Sequence, residues 1–339
     1  MIKRIDFFDI AKFIGMMMIV LGHFGVPDIN TFVYTFHIPM FFLISGYFFY
    51  PREKQKEFVY KKFVQLIIPY LLVMFFVIFI NIIILICKGE GGVAIARSSF
   101  KCFISYLYGS GYNENFFGYH IRNVGPIWYC LALFWNFLIL NFLLTCKALS
   151  QAKLSIILGI LFILGYVSAK YFWLPLSIQS ALTSVSFVYL GFLSKKINLF
   201  SKNVQIGTIL PLLCMWGLCM SYNGSFLFVT NSSVFVITDL ITAVAASYLV
   251  ILFCKWLENN TQIAKKMAFL GKYTLVMLCF HSIDIDIMPW NSYFLKENAN
   301  LTIVFAKILL TLFKLAFPII GIYIVLKIKF LKKIFQIKN

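Results

Sequence analysis

Lys12 and His23, in the run DIAKFIGMMMIVLGHFG, lie eleven residues apart in the first apolar segment of a 339-residue chain. Imidazole accepts and donates protons near neutral pH, so a partly desolvated His there suits general acid–base work. On insertion scales a Lys at the centre of a membrane helix costs about 2.5–3.5 kcal/mol, and such residues usually mark function. Eleven helical residues turn by about 1,100°, some 20° past three full turns, and rise roughly 16 Å. Lys12 and His23 therefore share one helix face, and Asp9 joins the same stripe. A lone membrane His is as readily a packing residue bonded to a carbonyl as a reacting one. A polar stripe of three is harder to explain by packing.

The run FHIPMFFLISGYFF follows, with His37, Pro39, Ser45 and Gly46. Pro39 is expected to break or kink its helix and free backbone groups to line a cavity, with His37 near His23 on the outer side. Ser45 and Gly46 read first as small residues that allow close helix approach. Further along, Lys307 and Lys314 are seven residues apart and share a face, with Asp239, Asp284 and Asp286 as expected counter-ions. Lys170, Lys255 and Lys296 are expected to snorkel.

What must position these groups is a set of membrane helices. The chain is 61% hydrophobic, with mean hydropathy +0.89 and only 12% charged residues, whereas soluble domains are about a quarter charged. Runs long enough to cross the hydrocarbon layer, about 17–25 residues each, fall near 8–26, 32–50, 63–87, 126–146, 154–170, 174–193, 204–222, 233–254, 267–287 and 301–326. The expectation is an all-α polytopic bundle of about ten transmembrane helices, organised as a single integral-membrane domain over 1–339. With both termini cytoplasmic, twenty of the thirty basic residues fall inside and six outside, as the positive-inside rule requires. That distribution explains the +18 formal charge without nucleic acid, whose binding needs a basic soluble face. The N-terminus superficially resembles a signal peptide but reads as a retained first helix. The connection 88–125 is expected to face outward as a long loop, with a lid or substrate surface as its job. The eight Cys show no metal-like pairing, and Cys130, Cys214, Cys219 and Cys279 read as small buried hydrophobes.

The segments DIAK with His23, FHIPMFFLISG, YKKFVQLIIPY, GPIWYCLALF and FLGKYTLVMLCFH, taken in order, resemble the successive signatures of the membrane acyltransferase-3 family. The resemblance implies a ten-helix enzyme of the bacterial inner membrane. It would O-acylate a cell-surface polysaccharide or its lipid-linked sugar precursor, with acetyl-CoA as donor and no metal. His23 resembles the essential His of the family's basic-residue-ten-His signature, and Lys12 its basic member, where many relatives carry Arg. The family's two basic residues before the Pro of the third helix correspond here to Lys62 and Gln65, ahead of Pro69, so the second one is missing.

Acyl transfer to a sugar hydroxyl needs a base and stabilisation of an oxyanion. The resulting assignment makes His23 the base, with Asp9 and His37 as further catalytic residues. Lys12, Lys61 and Lys62 attract the phosphates of the donor. Ser45, Arg122, Trp128 and His281 stand on the acceptor side, with Arg122 and Trp128 offering hydrogen bonds and stacking to a sugar ring. Trp at an interface is also a common anchor. His23 acting as an acylated nucleophile is the alternative within the same chemistry. The competing class is a transporter or flippase for a glycan precursor or small solute. No internal duplication of the kind such proteins often carry is visible. A pure scaffold leaves the Lys12 and His23 stripe unexplained.

Overall fold

The computed structural model describes residues 5–23, 27–116, 118–201, 205–260, 262–287 and 301–337. The chain is an all-α polytopic membrane bundle, and the described part of each of the ten apolar runs falls largely on helix. In order come α1 (Asp6–Gly22), α2 (Pro27–Tyr34), α3 (His37–Tyr47), α4 (Gln55–Lys62), α5 (Ile68–Cys87), α6 (Gly92–Tyr108), α7 (Trp128–Thr145) and α8 (Gln151–Ser168). They are followed by α9 (Ile178–Lys196), α10 (Ile206–Ser221), α11 (Val236–Asn260), α12 (Ile263–Gly271), α13 (Thr274–Ile287), α14 (Leu301–Lys327) and α15 (Lys329–Ile334).

Among the described residues six helical stretches are long and apolar enough to cross a membrane, and a seventh if α12 and α13, bent by 72°, count as one span. The other expected spans are helical but shorter or more polar. Helix α1 has 17 residues and α10 has 16. Helix α9 buries Gln179, Ser180, Thr183 and Ser184.

The chain divides into two compact units, the first comprising Met1–Val59, Trp135–Phe172 and Gln179–Thr274. Its core gathers Phe7, Phe8, Phe36, Met40, Trp216 and Leu249 around α1, α3 and α11. Glycines set the closest approaches. A Cβ on Gly46 would strike the Val188 carbonyl, and one on Gly191 the Leu43 carbonyl, so α3 and α9 meet backbone to backbone. This is the close approach expected of Gly46. Likewise Gly271 of α12 lies against the Asp9 carbonyl of α1. The break expected at Pro39 lies upstream, between α2 and α3. Pro39 sits in the first turn of α3, where backbone N–H groups have no intrahelical partner to lose.

The second unit comprises Tyr60–Phe134, Trp173–Ile178 and Leu275–Asn339. Between α4 and α5 the chain makes a π-helical turn over Phe63–Ile67, closed by the Ile68 N–H bonding the Phe63 carbonyl. Such turns are rare and favour functional positions. Helix α6 then folds back along α5. Asn81 Nδ2 bonds Ser98 Oγ at 3.1 Å near one end of the hairpin, and the Tyr70 hydroxyl bonds the Tyr106 carbonyl at 2.6 Å near the other. This corrects the long-loop expectation for 88–125. Much of that connection is helix, followed by a short hairpin pairing Glu114–Phe116 with Tyr119–Ile121. Gly109 ends α6 in the left-handed conformation, where a Cβ would also strike Leu131. Of the Cys named above, Cys130, Cys219 and Cys279 are buried, while Cys214 is exposed.

Gly46→Ala is expected to push α3 and α9 apart at a cost of about 1–3 kcal/mol, the usual penalty for overpacking. Thermal unfolding in detergent would show this as a lowered midpoint, and an unchanged midpoint would contradict the backbone contact.

Candidate active site

Helix α1 ends at Gly22, so His23 caps it instead of lying within it, and its side chain is exposed. The expected span to residue 26 places the ring too deep in the helix. His23 Nδ1 lies 2.7 Å from the Ile19 carbonyl. A carbonyl only accepts, so Nδ1 carries the proton, and in the neutral ring the lone pair resides on Nε2. His37, the first residue of α3, repeats the arrangement, with Nδ1 2.7 Å from the Val33 carbonyl. Its ring is buried, and the two imidazoles lie close enough to interact electrostatically.

Tyr34 joins the two histidines. Its hydroxyl donates to the Gly22 carbonyl at 3.0 Å, beside His23 in the chain, and its ring centroid is 5.4 Å from that of His37. The sequence reading missed this residue. Its signal was a polar-tipped aromatic one turn ahead of His37.

Asp9 and Lys12 form an ion pair at 2.5 Å, with side chains 5% and 23% exposed. Asp9 precedes His23 by fourteen residues, about 21 Å along the axis, so the catalytic role expected of it does not operate through contact with His23. Instead Asp9 neutralises Lys12. In the second unit Lys61 is exposed, and Lys62 Nζ lies 3.2 Å from Gln65 Oε1, at the π-helical turn. The residue standing where the family pattern has a second cation is thus a hydrogen-bond partner of the first. Ser45 is half-buried on α3.

His281 and Asp284 are buried on α13, and Asp284 acts electrostatically on buried Lys314 of α14, as expected of a counter-ion. Asp286 has other partners. It pairs with Arg122 Nη2 at 2.6 Å and accepts the Tyr106 hydroxyl at 2.5 Å. Asp239 pairs with no Lys among the described residues. It accepts from the Tyr222 hydroxyl at 2.9 Å, the Ser233 hydroxyl at 2.5 Å and the Val234 and Phe235 N–H groups at 3.0 and 3.1 Å, which secures the start of α11.

Trp128, expected to stack on a sugar, is 5% exposed. Lys255 donates to the Phe200 carbonyl at 2.7 Å instead of snorkelling, and Lys170 lies 4.8 Å from the Tyr166 ring centre. Lys296 and the side chain of Lys307 lie outside the described residues. Among the described residues no three His, Cys, Asp or Glu side chains group to hold a metal ion.

A family model described as an acyltransferase domain, of the acyltransferase-3 type, matches residues 5–327. No curated protein and no solved structure matches the chain.

Lys12→Met removes the cation paired with the buried Asp9 carboxylate and is expected to destabilise the protein by about 3 kcal/mol, the low end for a broken buried pair. Lys12→Met with Asp9→Leu is expected to recover most of that loss. Denaturation of both variants in detergent checks this, and equal stability of Lys12→Met and wild type would contradict it.

Proposed function

This chain belongs to the membrane acyltransferase-3 family and is an acyltransferase, and on that premise we propose that it transfers acetyl from acetyl-CoA to a hydroxyl of a cell-surface polysaccharide or its lipid-linked precursor, in the bacterial inner membrane. The observation that carries the mechanism is the bond from His23 Nδ1 to the Ile19 carbonyl. It orients the ring and leaves Nε2 as the basic atom.

As the acceptor hydroxyl oxygen attacks the thioester carbonyl, Nε2 takes the hydroxyl proton. The tetrahedral intermediate collapses, the carbon–sulfur bond breaks, and the proton passes from Nε2 to the departing thiolate. The imidazolium formed between these steps lies at the carbonyl end of α1, where the helix dipole favours positive charge. Tyr34, through Gly22, holds the turn on which His23 sits, and His37 supplies a second imidazole within electrostatic reach. Lys61 and Lys62 offer point charges to the donor phosphates. Lys12, already balanced by Asp9, contributes less to that task. Ser45 and His281 remain candidates for acceptor contacts.

His23→Ala is expected to lower transfer of radiolabelled acetyl from acetyl-CoA to envelope glycans by about 10²–10⁴-fold, the usual contribution of a positioned base, at unchanged protein abundance. Undiminished labelling would refute the assignment. Label retained after acid quench on the wild-type protein and absent from His23→Ala would instead make Nε2 the nucleophile.

A further inference from the structure

Arg122 is more than the counter-ion of a buried carboxylate. Its side chain is 53% exposed, whereas that of Asp286 is 3% exposed. Elsewhere the chain neutralises buried carboxylates without presenting a cation so openly. Among the described residues Asp239 is satisfied by hydroxyls, backbone N–H groups and the Cys219 thiol, and Lys12 beside Asp9 is only 23% exposed.

The clamp on Arg122 is one-sided. Only Nη2 is engaged, by Asp286 Oδ1 at 2.6 Å and at 3.5 Å by the Asp286 carbonyl, so Nε and Nη1 have no acceptor among the described residues. The second oxygen of Asp286 is held by Tyr106, whose backbone carbonyl is fixed by Tyr70. The backbone of Arg122 is tied as well, through its N–H to Ser105 Oγ at 3.2 Å. A guanidinium anchored along one edge keeps its remaining donors in a fixed orientation. That geometry suits paired oxygens of a carboxylate or phosphate. In the segment that leads to Arg122, Tyr112 and Tyr119 are 56% and 76% exposed.

We propose that Arg122 is the docking group for an oxyanion carried by the acceptor, positioned by Asp286 and Tyr106. The inference rests on the glycan O-acyltransferase reading and specifies its acceptor as acidic. Two sources share this chemistry, the phosphate of a lipid-linked sugar and the carboxylate of an acidic sugar.

Binding to the full-length protein in nanodiscs tests this without acyl transfer, so its outcome is separable from that of the His23 chemistry. The probes are a polyprenyl phosphate placed in the nanodisc and free glucuronate, with glucose as the neutral control. One anionic probe is expected to bind wild type, and which one identifies the source. Asp286→Asn removes the compensating charge and is expected to tighten that binding on the order of tenfold, close to the value for a unit charge a few ångströms away screened largely by water. Arg122→Gln with Asp286→Asn replaces the ion pair by a neutral amide pair and is expected to abolish binding while keeping the wild-type unfolding midpoint. A purely structural ion pair predicts the reverse for Asp286→Asn, with affinity unchanged or lost. Failure of both anionic probes on wild type, or equal binding by wild type and the folded double variant, would overturn the proposal.

Discussion

Hydrocarbon offers no hydrogen bonds, so every polar group carried into this bundle must find its partner within the protein. Three buried carboxylates meet that constraint in three ways. Asp9 and Lys12 pair along one helix. Asp239 is absorbed by hydroxyls and by N–H groups ahead of α11. Asp286 recruits a cation and a phenol from separate elements of its own unit. Glycine removes the Cβ where helices approach backbone to backbone, at Gly46 and Gly191 between α3 and α9 and at Gly271 against α1.

The same constraint shapes the histidines. The last carbonyls of a helix lack intrahelical donors, and the Nδ1–H of His23 satisfies one of them at the end of α1. A packing His bonded to a carbonyl and a His that acts as a base are usually weighed as rivals. Here the carbonyl bond fixes the tautomer, and with it the atom on which the proposed chemistry depends. His37 uses the same device one segment later, and Tyr34 ties both to one turn.

The apolar runs were legible because their length is set by bilayer thickness, and the family signatures were legible as ordered motifs spread along the chain. What escaped were features set by single contacts. Helix α6 was invisible as an element because Arg97, Lys101 and several Ser residues dilute its hydropathy, so its return along α5 rests on Asn81 and Tyr70. The end of α1 at Gly22 was blurred by the apolar residues that follow. No pattern in the sequence marks the π-helical turn before Pro69, although Lys62 and Gln65 flank its start. The partners of Asp239 and Asp286 were misjudged because hydropathy places charges at a depth without saying what surrounds them. The burial of Trp128 escaped for a similar reason, since sequence gives its place beside a connection but not what covers it.

The most direct test of the central claim is the nitrogen-15 NMR spectrum of histidine-labelled, catalytically active protein in bilayers, with His23→Ala as the subtraction control. The account predicts that the signals lost in the variant are a protonated Nδ1 and an unprotonated Nε2. Signals from a ring protonated at Nε2, with the lone pair on Nδ1, would contradict it.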